Sequence, residues 1–517
     1  MTLDTLLPNW LTRCSENFSQ HMAVHYKDAH WTFATLEQQV THLARQLAAI
    51  GVRPGSRVAL LATNGLSYVT CVHALTRLRA ILVPLNTRLT LDELCWQLQD
   101  VKATLLVSDE NHTTSSLEIQ QALSHLPHAT LLTSPTLSDV FLEDVAEITV
   151  PLQPVIDLNA TQCIMYTSGT TGYPKGVLIT YGMQWWNAVG SALNLGHQPD
   201  DCWLACMPFF HIGGLSILMR SVIYGISIIV QEKFDALAVN RAIREEGVTI
   251  ISVVAIMLQR MLADLDRMQE KEEKEGDGEE EEAARYPSTL RCILLGGGPA
   301  PRPLLEDCAR RAIPVSQSYG LTEACSQAVT LAPADSLRKS GSAGRPLLPV
   351  QLRIMNGNRP AAVHEPGTIY LKGPTITPGY ADRPEATRLA FRDGWFSTGD
   401  IGYLDADGYL YVLDRRNDLI ISGGENIYPA EIESVLAGHP AVEEVGVCGQ
   451  DDPQWGQVPV AFVHLRSGST ADAKSILDYA GQHLARYKVP RALHFIDALP
   501  RNSGGKLLRR DLRKLVS

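Results

Sequence analysis

The chain has 517 residues, of which 45% are hydrophobic and 20% charged, and its formal net charge is −11. This length is too great for one hydrophobic core, so at least two domains are expected. No apolar run is long enough for a transmembrane helix, no basic stripe suits a nucleic acid, and residues 1–14 lack the pattern of a secretory signal.

Acidic charge is concentrated in one segment. Residues 264–285 contain eleven acidic and four basic side chains, so the rest of the chain is close to neutral. Residues 269–284 are of low complexity and cannot bury apolar surface. We predict an acidic flexible insertion there, either a surface loop or the frayed extension of a helix. A functional acidic tail is the alternative.

The ten cysteines are scattered and form no CxxC pair. Cys202 and Cys206 lie in an apolar segment with no matching His or Cys pair nearby. Buried reduced thiols are therefore predicted rather than metal ligands. Reduced thiols are typical of the cytoplasm, which is the expected location.

Apolar runs alternate with helix-like segments as far as residue 400. Residues 58–61 and 80–83 are predicted to be buried strands, and residues 36–50 a helix. This alternation predicts α/β layers with largely parallel sheets.

The pattern changes beyond residue 400. Residues 401–404 and 409–413 flank an Asp-Gly turn and predict a β-hairpin. The segment after it has strands and a helix of its own. We place a boundary at Asn417, which gives a large N-terminal domain of layered α/β subdomains (residues 1–416) and a small α+β C-terminal domain (residues 417–517).

A segment rich in Ser, Thr and Gly follows an apolar strand predicted at residues 163–166. It reads Thr167-Ser168-Gly169-Thr170-Thr171-Gly172-Tyr173-Pro174-Lys175-Gly176. Its backbone N–H groups can surround phosphate oxygens, and Lys175 adds a positive charge. The spacing is not that of a Walker A loop. A phosphate-binding loop is predicted, and a loop that only joins two strands is the alternative.

Two further motifs follow predicted strands. Gly296-Gly297-Gly298 allows a flat ring to approach the backbone closely, although a tight turn would look similar. Tyr319-Gly320-Leu321-Thr322-Glu323 places an aromatic ring, a hydroxyl and a carboxylate at a strand end, where open α/β sheets bind ligands. Glu323 could hold Mg²⁺, and a helix cap is the alternative for the Thr-Glu pair.

The remaining motifs lie toward the C-terminus. Asp400 follows a glycine and could accept both hydroxyls of a ribose, and Arg415 could bind ribose or phosphate. Residues 421–429 contain a glycine loop that is predicted to open a helix at Ala430. Lys506 lies in a glycine-rich segment, where a lysine is usually solvated.

In this order, the segments resemble the acyl-adenylate-forming (AMP-binding) superfamily, which includes acyl-CoA synthetases, luciferases and peptide-synthetase adenylation domains. The resemblance covers residues 31–510 and is most specific at residues 167–176 and 421–433. It implies that a carboxylate attacks the α-phosphate of ATP to give acyl-AMP and pyrophosphate, and that a thiol then displaces AMP. ATP, Mg²⁺ and coenzyme A are therefore expected.

The resemblance also implies a role for each matching residue. Lys506 would contact the carboxylate and the α-phosphate, and Glu323 would bind Mg²⁺. The β- and γ-phosphates would be held by Thr167, Ser168, Gly169, Thr170, Thr171, Gly172 and Lys175. Adenine would lie among Gly296, Gly297, Gly298 and Tyr319, with Thr322 also assigned to the nucleotide. The ribose would be held by Asp400 and Arg415.

The superfamily rotates its small C-terminal domain between the two steps. Lys506 then leaves, and Ser422, Gly423 and Gly424 arrive to line a channel for the pantetheine thiol. The hinge is usually Asp or Lys and is matched here by Asn417, which can still absorb a backbone rotation.

Within the superfamily, four segments resemble the o-succinylbenzoate–CoA ligases of menaquinone biosynthesis. These are residues 185–195, 207–220, 319–331 and 339–344. Their substrate has an aromatic carboxylate that must be paired or hydrogen-bonded when buried. The candidates for that contact are His211, Arg220, Ser326 and Gln327. His211 could instead gate the tunnel between ATP and CoA, and Arg220 could pair with a structural acid or cap a helix.

Three alternatives stay open at this point. One is another aryl- or fatty acyl-CoA synthetase with an apolar pocket. A carrier-protein adenylation domain is disfavoured because no carrier domain follows Lys506 in the sequence. A non-catalytic nucleotide-binding protein is disfavoured because both Lys175 and Lys506 are present. The expected partners are small molecules, and family precedent suggests a homo-oligomer.

Overall fold

The structure is a computed structural model. It describes residues 5–134, 136–167, 174–275, 286–298, 300–415, 418–422, 425–453, 455–501 and 507–516, without the side chains of residues 269–275, 414–415 and 425–426. All ten cysteines lie in these ranges as free thiols, and nine are buried, as predicted. Across the same ranges, no helix combines the length and apolar character needed to cross a membrane.

The described residues form an α/β structure. In chain order the strands are β1 (Leu6–Pro8), β2 (Met22–Tyr26), β3 (Ala29–Thr32), β4 (Arg57–Leu61), β5 (Ile81–Pro84), β6 (Leu105–Asp109), β7 (His128–Thr133), β8 (Val140–Leu142), β9 (Val155–Asp157), β10 (Thr161–Thr167), β11 (Lys175–Thr180), β12 (Cys202–Ala205), β13 (Ser227–Val230), β14 (Ile250–Val254), β15 (Cys292–Gly296), β16 (Val315–Leu321), β17 (Ser326–Thr330), β18 (Arg345–Pro346), β19 (Gln351–Asn356), β20 (Arg359–Pro360), β21 (Gly367–Lys372), β22 (Phe391–Arg392), β23 (Trp395–Leu404), β24 (Leu410–Arg415), β25 (Ile420–Ser422), β26 (Glu425–Ile427), β27 (Val442–Asp452), β28 (Gly456–Leu465) and β29 (Ala492–Phe495).

The α-helices are α1 (Trp10–Asn17), α2 (Phe33–Ala49), α3 (Leu66–Arg77), α4 (Leu91–Asp100), α5 (Thr113–Ala122), α6 (Tyr181–Leu195), α7 (Ile212–Tyr224), α8 (Ala236–Glu245), α9 (Ala255–Glu275), α10 (Arg302–Arg310), α11 (Pro384–Ala390), α12 (Pro429–Leu436), α13 (Ala473–His483) and α14 (Arg509–Arg513). Short 3₁₀ helices cover Glu110–His112, Thr322–Ala324, Pro333–Asp335 and Arg486–Lys488. Several helices begin at a residue whose side chain caps the first turn. Thr32, for example, accepts a hydrogen bond from the backbone N–H of Thr35 at the start of α2.

Two large mixed sheets hold most of the N-terminal domain. One has seven strands in the order β11-β10-β5-β4-β6-β7-β8, and the other has nine in the order β18-β17-β16-β15-β14-β12-β13-β2-β3. The central strands of both are parallel, and antiparallel strands close the edges. One buried cluster contains side chains of both sheets and of α2, α3 and α7, including Phe33, Tyr68, Trp203 and Phe209. This shared core fixes the two sheets against each other.

The prediction of largely parallel sheets is wrong for the rest of the N-terminal domain. A six-stranded sheet, in the order β20-β19-β21-β23-β22 with β24 paired to β23, is antiparallel throughout. Tight turns join several of its strands, including the predicted hairpin of β23 and β24, and such turns permit only antiparallel pairing. A further two-stranded sheet pairs β1 with β9.

The small C-terminal domain has a five-stranded sheet in the order β26-β25-β28-β27, with β29 parallel to β28. Its own core includes Ile432 of α12, Ile476 of α13 and Val463 of β28, all fully buried. Residues 421–429, predicted to contain a glycine loop that opens a helix at Ala430, lead into α12, which begins at Pro429, and β25 and β26 pair within this segment. Asn417 lies outside the described residues, so the boundary there stays a prediction.

The acidic insertion begins as a helix. The backbone of α9 continues to Glu275, which agrees with the predicted helix extension for the first part of residues 269–284. Residues 276–284 lie outside the described residues.

Candidate active site

The candidate site lies where parallel strands of the nine-stranded sheet end. Val254 of β14 is in register with Gly296, the last residue of β15, and β15 is parallel to β16, which carries Tyr319. The carboxyl ends of neighbouring parallel strands meet at one edge of a sheet, where open α/β sheets bind ligands. The structure therefore brings the predicted adenine-binding glycines and Tyr319 together.

Gly297 and Gly298 at this edge of the sheet have different surroundings. Gly297 has a φ of +80°, and a Cβ atom there would lie 2.9 Å from Val254 Cγ1. A Cβ atom at Gly298 would meet no described residue within 4 Å. Gly297 is therefore needed for the backbone turn, whereas Gly298 leaves open space that a flat ring can approach.

Tyr319 and Asp400 come from different sheets and meet at the site. The Tyr319 hydroxyl donates a hydrogen bond to Asp400 Oδ2 at 2.7 Å. The backbone N–H of Asp400 donates to Thr398 Oγ1 at 3.1 Å, and Asp400 is in register with Arg415 across β23 and β24. The residues predicted to hold adenine and ribose thus form one group, in which the side chain of Arg415 is not described.

The predicted phosphate loop connects two strands of a hairpin. Thr167 ends β10, Lys175 begins β11, and the two residues are in register. The preceding strand is buried at Cys163, Ile164 and Met165, as the sequence predicts. The loop residues Ser168, Gly169, Thr170, Thr171 and Gly172 lie outside the described residues.

Lys175 and Glu323 approach each other through Tyr380. Lys175 Nζ lies 5.3 Å from the centroid of the Tyr380 ring, and the Tyr380 hydroxyl donates a hydrogen bond to Glu323 Oε1 at 3.0 Å. Burial and the neighbouring carboxylate raise the pKa of Tyr380, so the hydroxyl stays protonated and able to donate. Thr322 precedes Glu323 in the same 3₁₀ turn.

The chemistry of this cluster suits Mg²⁺. A carboxylate with a hydroxyl-bearing residue beside it offers the hard oxygen ligands that Mg²⁺ prefers. Among the described residues, no group of three His, Cys, Asp or Glu side chains forms a dedicated metal cage. Glu323 therefore fits a metal that is held mainly by the phosphates of its ligand.

Tyr380 belongs to none of the predicted motifs. Pro378-Gly379 before it marks a turn, which is a local signal, but nothing nearby indicates that the ring reaches two motifs more than fifty residues away.

The turn between β16 and β17 is unusually tight. A Cβ atom at Gly320 would lie 1.8 Å from the backbone oxygen of Ser326, so only glycine fits there. Cys325 and Ser326 have φ angles of +57° and +91°, which residues other than glycine rarely adopt. Strained backbone of this kind persists where surrounding contacts hold it.

Asn187 of α6 provides some of those contacts. Its Nδ2 donates to the backbone oxygen of Gln327 at 2.7 Å and to that of Ala324 at 3.4 Å. The side chain of Gln327 is buried and bonded to Ser191 and Thr330 at 3.3 and 3.2 Å. The Gln327 side chain therefore has structural partners within the core, and its predicted substrate contact stays a prediction, as does that of Ser326.

Arg220 of α7 is almost completely buried. Its Nη2 donates to Asn187 Oδ1 at 2.6 Å, and its guanidinium carbon lies 5.3 Å from the centroid of the Trp203 ring. Its Nε is buried and has no hydrogen-bond partner among the described residues. Burial lowers the pKa of Arg220, but an arginine remains charged in proteins. No acidic side chain in the described part of the chain forms an ion pair with this cation, so the pairing with a structural acid considered from the sequence is not seen there.

His211 stands at the start of α7, in the segment that follows β12. The first turn of α7 lies close to the segment before it, because a Cβ atom at Gly214 would lie 2.4 Å from the backbone oxygen of Pro208. The His211 ring contacts Phe210 edge-on, with centroids 4.8 Å apart. Burial and the charge of Arg88 lower the pKa of His211 to about 4, so it is neutral near pH 7.

Comparison with known proteins agrees with this geometry. The family model of the AMP-binding enzymes matches residues 11–381, and that of the AMP-binding enzyme C-terminal domain matches residues 431–506. The chain belongs to the AMP-binding enzyme family.

Individual members of the AMP-binding enzyme family match almost the whole chain. The 2-succinylbenzoate–CoA ligase of Geobacillus sp. (strain WCH70) is 50% identical, over 99% of this chain and 98% of the relative. That of Geobacillus kaustophilus is 51% identical over the same shares. The o-succinylbenzoate CoA synthetase of Bacillus subtilis, solved in complex with the acyl-adenylate intermediate OSB-AMP, is 41% identical with a TM-score of 0.88 over 98% of both chains. The same enzyme with ATP and magnesium ion gives a TM-score of 0.86 at 42% identity, over 98% of this chain and 100% of that chain.

Several residues assigned from the AMP-binding enzyme resemblance remain predictions. Ser422 ends β25 in the C-terminal domain and is buried. The residues that lie outside the described ranges are Gly423, Gly424 and Lys506.

Proposed function

We propose that this protein is an ATP-dependent 2-succinylbenzoate–CoA ligase (2-succinylbenzoate is also called o-succinylbenzoate). It forms acyl-AMP and pyrophosphate, and then acyl-CoA and AMP, in a step that supplies menaquinone biosynthesis. The observation that carries the acid specificity is the buried guanidinium of Arg220, which has no acidic partner among the described residues. An uncompensated buried charge is costly, so a site that keeps one is suited to an anionic ligand.

In the first step an oxygen of the succinyl carboxylate attacks the α-phosphorus. The bond from that phosphorus to the bridging β-oxygen breaks, and pyrophosphate leaves. Negative charge develops on the phosphoryl oxygens, so fixed cations lower the barrier. In this proposal Lys175 binds the β- and γ-phosphates, and Lys506 binds the α-phosphate and the attacking carboxylate.

Glu323 would hold the Mg²⁺ of the nucleotide, and bound Mg²⁺ would neutralise part of the phosphate charge. Tyr319 and the open backbone at Gly298 bind the adenine between them, and Asp400 accepts the ribose hydroxyls. These contacts orient the α-phosphate toward the acid. Holding the two reacting groups in the right geometry lowers the barrier to their reaction.

In the second step the sulfur of CoA attacks the acyl carbonyl carbon, and the bond to the AMP oxygen breaks. We propose that residues 417–517 rotate about Asn417 between the steps and bring Ser422, Gly423 and Gly424 to the pantetheine. His211, which is neutral because burial lowers its pKa to about 4, gates the tunnel between the ATP and CoA sites in this proposal.

The aromatic carboxylate of the substrate pairs with Arg220. Trp203 supports one face of the guanidinium, and Asn187 holds Nη2, so the group is fixed before the substrate arrives. Ser326 offers a hydroxyl near the strained turn. A preorganised charge of this kind favours a dicarboxylate over a monocarboxylate of the same shape.

Incubation with ATP, Mg²⁺, CoA and a panel of acids tests the proposal, with pyrophosphate release and the mass of the thioester as readouts. The panel contains o-succinylbenzoate, benzoate, coumarate, a medium-chain fatty acid and several amino acids. The proposal requires a CoA thioester of o-succinylbenzoate as the preferred product. Preference for any other acid overturns the specificity, and turnover of none overturns the enzyme assignment.

The finer parts of the proposal concern location and assembly. A cytoplasmic enzyme accords with ten free thiols and with ATP and CoA as substrates. Self-association is proposed from family precedent alone, and sedimentation of the purified protein across a concentration series measures it.

A further inference from the structure

We infer that Tyr380 is a positioning residue for the triphosphate end of ATP, with its hydroxyl orienting the carboxylate of Glu323 and its ring face placing the ammonium group of Lys175. This inference rests on the proposed function for the assignment of Lys175 to phosphate and Glu323 to Mg²⁺. Tyr380 belongs to none of the motifs that the sequence analysis identified.

The backbone around Tyr380 is tied to both of its targets. The N–H of Ala381 donates to the oxygen of Gly176 at 2.8 Å, and Tyr380 bridges to Val177, so the ring is fixed beside the strand that begins at Lys175. The N–H of Thr377 donates to the backbone oxygen of Glu323 at 2.8 Å. One short segment therefore holds the phosphate-loop hairpin and the Glu323 turn in a fixed relation.

Contacts with α11 also fix the backbone at Tyr380. The N–H of Tyr380 donates to Thr387 Oγ1 of α11 at 3.0 Å. A Cβ atom at Gly379 would lie 2.5 Å from Thr387 Cγ2, so the segment approaches α11 as closely as a glycine allows. Tyr380 is thus placed by contacts that do not involve the nucleotide.

The chemistry of tyrosine suits this position. Its hydroxyl occupies one lone pair of the Glu323 carboxylate and leaves further lone pairs for a metal or its water ligands. Its ring face attracts the Lys175 ammonium group through the aromatic quadrupole, which leaves the N–H donors of the lysine for phosphate oxygens. A neutral residue between a carboxylate and an ammonium group therefore keeps both oriented toward a ligand.

The decisive variant is Tyr380→Phe, which keeps the ring and removes the hydroxyl. We expect Mg·ATP to bind about tenfold more weakly, which is the size of effect that loss of a hydrogen bond to a charged group produces. AMP lacks the β- and γ-phosphates, so its affinity should stay within about twofold of wild type. Calorimetry without any acid measures both affinities.

Tyr409→Phe is the matched control. The Tyr409 hydroxyl donates to Asp335 Oδ2 at 2.7 Å, and Lys339 Nζ lies 4.6 Å from its ring centroid, so it has the same kinds of partner. Tyr409 lies beside the turn between β23 and β24, whereas Asp400 pairs with Arg415 at the other end of that ladder. We expect this variant to bind Mg·ATP and AMP as wild type does.

A double-mutant cycle with Glu323→Gln tests whether the Tyr380 hydroxyl affects Mg·ATP binding through Glu323. If Tyr380 acts through Glu323, Tyr380→Phe should weaken Mg·ATP binding far less in the Glu323→Gln background than in wild type. Equal loss of Mg·ATP and AMP affinity, unchanged Mg·ATP affinity, or additive effects in the cycle would each overturn the inference. Because no acid is present, an enzyme that fails to use o-succinylbenzoate would refute the proposed function and leave this result standing.

Discussion

The Tyr319 hydroxyl donates a hydrogen bond to Asp400 Oδ2 at 2.7 Å and thereby joins the nine-stranded sheet to the six-stranded sheet. In the proposed function the two residues bind adjoining parts of one nucleoside. Their contact therefore orients the ribose-binding carboxylate before ATP arrives, and such preorganisation lowers the entropy cost of binding.

Tyr319→Phe should consequently weaken nucleotide binding while preserving the aromatic face for adenine. We expect AMP affinity to fall about three- to tenfold, which is the net contribution of one hydrogen bond. Calorimetric titration with AMP measures it. Tyr26→Phe is a suitable control, because Tyr26 donates to the Glu232 carboxylate at 2.6 Å. A loss of equal size in both variants would contradict the role of the Tyr319 contact.

Arg220→Met should remove the preference for the second carboxylate. Loss of one partner of a buried charge pair costs several kcal/mol, so kcat/KM for o-succinylbenzoate should fall at least about thirtyfold. Turnover of 4-oxo-4-phenylbutanoate, which lacks the aromatic carboxylate, should change much less. Initial-rate kinetics with both acids give the comparison. A similar fall for both would mean that Arg220 supports the pocket through Asn187 alone.

Lys506→Ala separates the two chemical steps. The variant should lose acyl-AMP formation by about two to three orders of magnitude, because a cation at the transferring phosphoryl group is removed. Thioester formation from synthetic acyl-AMP and CoA should be retained. Single-turnover assays of each step measure the two rates. Equal loss of both would refute the role given to Lys506.

His211 should not titrate during turnover. Its pKa is lowered to about 4 by burial and by the charge of Arg88, so it stays neutral from pH 6 to 8. A folded-state pKa below the ordinary 6.5 means that the unfolded chain binds the proton first, so stability present above pH 6.5 is lost as the pH falls toward 4. His211→Gln should flatten the dependence of the unfolding free energy on pH in that window, as measured by denaturant unfolding. An inflection near pH 6.5 in wild-type kcat/KM that His211→Gln abolishes would contradict this.

Deletion of residues 269–284 should leave turnover nearly unchanged. The segment begins on the extension of α9, and none of the proposed site residues lies in it. Steady-state rates with ATP, CoA and o-succinylbenzoate provide the check. A large loss of kcat would show that the acidic insertion takes part in function.

Local signals predicted the parts of the site that the chain places next to a strand. The hairpin that carries Lys175, the glycines after β15 and the Tyr319 segment all follow apolar strands, and their order along the chain matched a family pattern. Tyr380 and Asn187 escaped prediction because their importance depends on partners far along the chain. No residue pattern near Asn187 shows that it bridges Arg220 and the backbone of the 324–327 turn.

The antiparallel sheet shows a similar limit for the fold. The prediction of parallel sheets rested on apolar runs and did not use the alternation of buried and half-buried residues in β21, which is typical of an antiparallel strand and differs from the continuous burial of β14. The strand pair β25 and β26 is three residues long on each side, too short to show a periodicity.

The central claim is tested most directly by the specificity of the wild-type enzyme for an acid with a second carboxylate. The measurement is the ratio of kcat/KM for o-succinylbenzoate to kcat/KM for 4-oxo-4-phenylbutanoate, with ATP and CoA saturating. We expect a ratio of at least about thirty, because the buried Arg220 guanidinium can form an ion pair with the second carboxylate of o-succinylbenzoate, which 4-oxo-4-phenylbutanoate lacks. A ratio near one, with both acids converted to CoA thioesters, would leave the two-step ligation intact and contradict the assignment of the acid.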